Sequence, residues 1–584
     1  MDSSVYQHIS QLINDPIVER RTCSISGEQF PIYQSDTVFY QKISPSFDWQ
    51  KFSIPLPTLS PEERRKRRLI RRNERNFYRT QCYLTQAPII TMYNPELHNK
   101  VLSDQAYRSD AYDPLQYGRD FDFSKPFFEQ FEQLMNDVPK LNLVINNNTN
   151  SPYVNYEAEE KDCYMTIWWH RNENCMYGNY FIESKDSIDG YRNFDVTQCY
   201  ESIEWHTLHK CKYTYKAEQS NNCTLCYNIR NCSYCFGCVN LQNKSHCFFN
   251  QQYSPEERQQ KVDAYRIHTY TGIQKAKEEY MQFIQKFPRP AVTQSNSENC
   301  IGNNIYNSKN CHFCHVVEEA EDCRYGAIFG YCKDVYDTDS NGLSELSYEV
   351  LAVGGTSKAS RNQKLMFSVM AIDANNIRYS FSCLHCNNCF GCVWLKKHQY
   401  CIFNKQYTPE EYEKQVAKII AHMIQTGERG QFFPTSLSPF AYNETTVQDF
   451  FPLSREQATQ KWHRRQDITK ISPVPVWVQI LQSDQLPEDS SAFVYEWPTA
   501  IQCQESGRAF ILQKQEVAFY KAHNIPLPRL HPDVRHQNRL QHKRNHSLYL
   551  RNCDKAGETI LSIYPTDAPY QVWSEKAYNQ EIYG

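Results

Sequence analysis

The sequence predicts a mixed α+β chain, mainly β: a duplicated parallel β-solenoid with helical caps, flanked by degenerate zinc-ribbon-like end modules. Three observations predict it. Cysteine or another small residue recurs every twelve positions at Cys163, Cys175, Ser187, Cys199, Cys211 and Cys223. The stretch Asn231-Cys232-Ser233-Tyr234-Cys235-Phe236-Gly237-Cys238-Val239 returns 154 residues later as His385-Cys386-Asn387-Asn388-Cys389-Phe390-Gly391-Cys392-Val393. The start of the chain also returns at its end. Cys23, Gly27, Phe39 and Tyr40 recur as Cys503, Gly507, Phe519 and Tyr520; after a deletion, Arg64, Arg68, Tyr78 and Cys82 recur as Arg535, Arg539, Tyr549 and Cys553.

The twelve-residue lattice favours strands over a helix. On a helix, at about 100° per residue, lattice positions fall about 120° apart and form no stripe. Twelve is even, so on strands every lattice position shares one face. Coils stacked about 4.8 Å apart leave a narrow interior that small side chains fill. The blocks are expected at about 150–253 and 298–407. The second lattice is weaker (Cys311, Cys323, Val335, Ser347, Ala359, Ala371, Cys383), with an insertion expected within 340–375.

Each twin stretch runs into a helix start, Ser254-Pro255-Glu256-Glu257 or Thr408-Pro409-Glu410-Glu411. Both are capping boxes, and their helices, to about Phe287 and Gln425, would cover the last open coil. Phe127, Phe128, Phe131, Leu134 and Met135 follow helical spacing. The divisions are then 1–120, an end module with a basic helix; 121–287, the first block with flanking helices; 288–426, the second block with its capping helix; 427–495, a Pro-rich linker; and 496–584, the second end module.

Composition limits the partners. The 584 residues carry a net charge of −3, so a basic site must be local. No apolar run near membrane length and no charged-then-apolar leader is present, so a soluble, cytoplasmic chain is expected. In that setting the 24 cysteines are expected as reduced core thiols or metal ligands rather than disulfides.

A basic stretch after Ser60-Pro61-Glu62-Glu63 holds Arg64, Arg65, Arg67, Arg68, Arg71, Arg72 and Arg75. On a helix these cover most of the circumference. Joined by Arg535, Arg539, Lys543 and Arg544, they are the candidate contacts for nucleic acid or a ribonucleoprotein. The other reading is a helix that is solvated or paired to acidic groups of the same chain.

Cys232, Cys235 and Cys238, with Cys386, Cys389 and Cys392, have the spacing of an iron–sulfur run. The ferredoxin pattern needs a wider last gap and a proline, and Ile229 interrupts the first copy. Thiols packed as small hydrophobes are the expected use, so no cofactor is favoured and zinc is the alternative. In the end modules Ser26, Thr85, Ser506 and Ala556 stand three after Cys23, Cys82, Cys503 and Cys553, leaving one thiol per knuckle. The chain holds no phosphate-loop, dinucleotide, nucleophile-elbow or His-Glu-x-x-His motif. Trp168-Trp169-His170 and Glu204-Trp205-His206 are read as a β-surface ladder rather than a ligand groove.

Several of these pieces together resemble a family of Cys-rich, zinc-ribbon proteins of candidate-phyla-radiation bacteria, some of which carry a CoA-transferase label. They are Cys23-x2-Ser26-Gly27, Arg72-Asn73-Glu74-Arg75, Tyr117-Gly118-Arg119-Asp120, the twin Cys-x2-Cys-Phe-Gly-Cys-Val stretch, Tyr442-Asn443-Glu444-Thr445 and His523-Asn524-Ile525-Pro526. The resemblance implies paired ribbon positions at Cys23/Ser26 with Ser60/Glu63, Cys82/Thr85 with Ser103/Ala106, and Cys553/Ala556 with Ser574/Ala577. It implies architecture rather than mechanism. The expected function is a non-enzymatic binding or scaffold protein that takes nucleic acid or a ribonucleoprotein on its basic modules. The alternatives are a protein-assembly scaffold using the solenoid surface and a carbohydrate-active enzyme in a solenoid groove.

Overall fold

A computed structural model describes residues 1–354, 362–467, 473–541 and 546–584. Its centre is a parallel β-solenoid in two blocks. In the first, nine strands run in chain order from Ile145–Asn146 to Val239–Gln242, each paired in parallel with the next. The register is twelve residues: Ile167 pairs Asn179, which pairs Tyr191, which pairs Ile203.

The period has a finer origin than two-residue alternation. Backbone φ is positive at every third residue, as at Asp162, Met165, Trp168, Arg171, Asn174, Tyr177, Tyr180 and Glu183. Each coil is therefore four sides of three residues, and each side ends in a left-handed corner. A left-handed L-residue costs roughly 1–2 kcal/mol, least for Asn and Asp. Corner amides offset this by donating to the neighbouring coil, as Asn174 N–H does to the Lys161 carbonyl at 3.0 Å and Asp186 N–H to the Glu173 carbonyl at 3.0 Å. Corner side chains form ladders as well, with Asn174 Nδ2 3.0 Å from Asp186 Oδ1 and Asn231 Nδ2 2.7 Å from Asn243 Oδ1. This explains the short polar residue before most lattice cysteines.

One residue per side points inward. Where a large one must fit, glycine makes room: a Cβ on Gly178 or Gly190 would stand 2.5 or 2.4 Å from the Phe181 ring. Glu157 and Glu160 also point into the first coils and are buried. Burial first, then repulsion from Glu160, pushes Glu157 well above the usual carboxylate range. A raised acid favours the folded state below its unfolded pKa and loses that advantage as pH rises. Glu157→Gln should therefore match the parent near pH 4 and be the more stable of the two at pH 8. Urea midpoints at the two pH values check this; equal midpoints at pH 8 would refute it.

The second block keeps the twelve-residue step except in its first coil, where Gln294 pairs Ile305, a step of eleven, and in one later coil. Tyr348 pairs Met366, a step of eighteen. The column of Cys311, Cys323, Val335 and Ser347 therefore continues at Leu365, whose N–H meets Ser347 Oγ at 3.4 Å. Ala371 and Cys383 pair with each other but belong to a neighbouring column that passes through Val353. Ala359 lies outside the described residues.

Both blocks end on an asparagine. Asn250 Oδ1 accepts from Val239 N–H at 2.8 Å while its Nδ2 donates to the Val239 carbonyl at 2.9 Å. Asn404 does the same to Val393 at 2.9 and 2.8 Å. The capping helices follow: Pro255–Asp263 and Tyr270–Ile284 after the first block, where one helix was expected, and Pro409–Gln425 after the second. Each end module carries two β-hairpins whose loops hold Cys23 and Cys82, or Cys503 and Cys553, and the first adds a short third, Ser46–Phe47 with Gln50–Lys51. The stretch expected as a linker is partly core, with Phe432, Phe433, Phe440 and Val447 buried against the second block and first module.

Candidate functional site

The arginines expected to face phosphate face inward. The helix Pro61–Leu69 starts at its expected cap, Ser60 Oγ accepting from Glu63 N–H. It lies on the strands Lys333–Gly342 and Ser344–Gly354 of the second block. There Arg64 meets Asp337 at 2.9 Å, Arg65 meets Asp339 at 2.8 Å, and Arg67 meets Glu349 at 2.6 Å. Arg68 reaches Asp339 at 3.2 Å and Asp337 at 3.5 Å. Burial works against the Arg64 charge and is the largest single influence, but Asp337, Tyr40, Tyr348 and Glu349 together outweigh it and raise the pKa well above the usual value. Among the described residues Arg71 has no carboxylate partner; it donates to the Phe433 carbonyl at 2.7 Å and lies over the Phe432 ring. Burial pulls it down to about 9. Arg72 pairs with Glu74 at 2.5 Å beneath the Trp168 ring, 3.7 Å from its centroid. Arg75 Nη1 donates to Asn179 Oδ1 at 2.9 Å.

The second basic helix, Pro532–Leu540, is docked in the same way on the first block. Arg535 pairs with Asp189, and with Glu516 at 3.1 Å; Arg539 pairs with Asp189 at 2.8 Å. Lys543 and Arg544 lie outside the described residues. The expected phosphate-facing arrangement is thus corrected for the described arginines: pairing within the chain, the other reading of the basic stretch, is what their geometry shows.

The two dockings correspond at several positions. Ahead of the enlarged coil, duplicated solenoid positions lie 148 apart, which makes Tyr177, Asp189 and Tyr200 the counterparts of Tyr325, Asp337 and Tyr348. Tyr325 donates to Asp36 at 3.1 Å, and Tyr177 to its counterpart Glu516 at 3.2 Å. Tyr40 packs on Tyr348 at 5.1 Å, and Tyr520 on Tyr200 at 5.6 Å. The helix dockings are crossed: the basic helix of the first end module lies on the second block, and that of the last on the first block.

The clustered cysteines are explained by the three-residue sides. Cys232, Cys235 and Cys238 lie on successive sides, as do Cys386, Cys389 and Cys392, and all six are buried. Their thiols donate to carbonyls two residues back, such as Cys232 to Arg230 at 3.3 Å and Cys386 to Leu384 at 3.3 Å. Burial above all raises Cys238, Cys389 and Cys392. Among the described residues no group of three or more His, Cys, Asp or Glu is placed to hold a metal ion. The knuckle thiols differ. Burial works upward on Cys82, but hydrogen bonds from Thr85 and the Ser103 amide outweigh it and bring the thiol down to about 7. The positions that the resemblance pairs do meet, with Cys82 Sγ 3.7 Å from Ser103 Oγ and Cys553 Sγ 3.8 Å from Ser574 Oγ. Each site brings one thiol, where tetrahedral zinc takes about four Cys or His ligands.

Trp168 stacks between Tyr156 and Tyr180, its neighbours one coil away on either side, at 5.4 and 5.9 Å, as the ladder reading expects. The surface that the sequence reading passed over lies near the second module. Strand Gln479–Gln482 is an edge strand, parallel to Thr499–Gln502 with Gln479 opposite Thr499. Just before these strands stand Val476, Trp477, Val494 and Trp497, exposed by 105, 72, 82 and 58 %. Trp477 in the Pro-rich stretch and Trp497 just beyond it were the available signal.

Fold and site together define a capped β-solenoid protein. No protein-family model matches the chain, and no curated protein is similar to it. No described helix is long and apolar enough to cross a membrane.

Proposed function

We propose that the protein is a non-enzymatic scaffold that docks another protein on the edge strand Gln479–Gln482. The observation that carries this is the exposed group Val476, Trp477, Val494 and Trp497 beside an edge with one strand neighbour. Large exposed apolar side chains favour a protein partner, and an open edge accepts an extended segment by strand addition. Tryptophan is enriched among residues that dominate binding energy. The crossed dockings support the same reading, since they tie both ends of the chain to the solenoid and make a stiff platform. The test is affinity capture from the source cell with the full chain and with the Trp477→Ala/Trp497→Ala double variant. A partner captured by the parent should be lost, by about tenfold or more, from the variant. Equal capture would reject this surface. Capture of nucleic acid that weakens with salt and ignores the tryptophans would favour a nucleic-acid function instead.

A further inference from the structure

We infer that Arg378, Arg429 and the Tyr412 hydroxyl form a binding site for a small monocarboxylate, where the second block, its capping helix and the first end module meet. Arg378 ends the strand Asn375–Arg378, Tyr412 stands in the first turn of the helix Pro409–Gln425, and Arg429 follows that helix. Arg378, Tyr412 and Arg429 are 6, 1 and 7 % exposed. The Phe47 ring of the short hairpin closes one side: Arg378 lies over it at 5.0 Å, and the Tyr412 ring packs against it at 6.2 Å.

The chain does not match these charges. Among the described residues Arg378 is the one buried arginine whose side chain has neither a hydrogen bond nor an ion pair, and Arg429 has no ion pair either. Arg429 Nη2 donates to the Phe52 carbonyl at 3.1 Å. Arg378 Nε, Arg429 Nε and Tyr412 Oη are buried without a hydrogen-bond partner. Arg71 differs, because its donors reach the Arg67, Phe433 and Pro434 carbonyls. A guanidinium does not shed its proton in a protein, so a buried one needs a counterion. Arg64, Arg324 and Arg535 stand beside carboxylates and are raised well above the usual value. Arg378 is lowered: burial pulls it down, Tyr412 works upward, and the Arg429 charge lowers it again. The charge balance sets the class of guest. Glu413 acts on Arg378 without forming an ion pair with it, and accepts from the Asp48 amide at 3.3 Å. Two guanidiniums less one carboxylate leave a single positive charge, which suits a monoanion better than a phosphate dianion. Guanidinium forks fit the plane of a carboxylate, which accepts several hydrogen bonds at once. Near-complete burial keeps the guest small.

The test is ligand-observed NMR on the full chain in chloride-free buffer, with acetate as the probe and acetamide as its neutral counterpart. Acetate should bind with a Kd of roughly 0.1–10 mM, the range open to so small a ligand, and at least about tenfold more tightly than acetamide. Neither chloride nor inorganic phosphate at the same concentration should displace most of it. Arg378→Met keeps much of the bulk and removes a buried charge, so it should fold, and it should weaken acetate binding at least about tenfold. Tyr412→Phe removes only the hydroxyl and should weaken binding by about tenfold; it decides the matter if Arg378→Met fails to fold. The proposal is overturned if acetate fails to bind at about 50 mM. It is equally overturned if acetamide, chloride or phosphate binds as tightly, or if the folded variants bind acetate like the parent.

Discussion

Asp189→Ala should destabilise the protein by about 3–5 kcal/mol, the range for removing one partner of a buried ion pair. Asp189 is fully buried and takes two guanidiniums, Arg535 and Arg539. After its loss Arg535 keeps Glu516 at 3.1 Å, but Arg539 is left with the Tyr177 carbonyl at 3.2 Å. The counterpart change, Asp337→Ala, should cost less. Glu349 lies 3.8 Å from Arg64 and 3.9 Å from Arg68 and takes up part of the charge, and Asp339 stays at 3.2 Å from Arg68. Urea unfolding of both variants gives the ranking. The last end module should also become the first part of the Asp189→Ala protein to be cleaved in limited proteolysis. A ranking with Asp337→Ala the more damaging would show that the two dockings, although equivalent in position, are not held by the carboxylates in the way described.

Asn404→Ala should cost about 2–3 kcal/mol, since it leaves the Val393 amide and carbonyl at a coil end with no side-chain partner. Asn404 is fully buried beneath the chain near Pro114, so water does not readily replace the amide. Asn250→Ala removes the same pair of hydrogen bonds at a site that is only partly buried. It should cost about 1 kcal/mol, the ordinary net value for an accessible hydrogen bond. Amide exchange at Val239 and Val393 reads the two sites separately, and faster exchange is expected in the matching variant only. If both substitutions have the same effect on stability, burial is not what sets the cost.

Much of the fold was legible because a solenoid writes its geometry into spacing. Lattice cysteines, corner Asn and Asp residues and the capping boxes are local features, and each recurs at the period that backbone stacking demands. The side of three residues was legible too, in Cys226, Ile229, Cys232, Cys235 and Cys238, but that spacing also matches metal knuckles and was read against them. What hid the geometry was the assumption that strand alternation sets the inward face. Here a left-handed corner interrupts the strand every third residue, so the inward period is three.

The arginines show the opposite case. Nothing within Arg64–Arg75 says whether the charges meet phosphate or carboxylate. Their partners Asp337, Asp339 and Glu349 lie more than 260 residues away and only become neighbours once the coils stack. For the same reason the exposed pair Trp477 and Trp497 could not be separated from buried tryptophans by composition alone. The sequence by itself determined the repeat, the coil length, the places where coils end and the duplication of the end modules, because these follow from short-range backbone and capping rules. Tertiary structure alone decided which module docks on which block, and with that whether a charge or an aromatic ring is buried or left on the surface. Burial and charge pairing depend on the groups that arrive from distant parts of the chain, and local spacing carries no record of them.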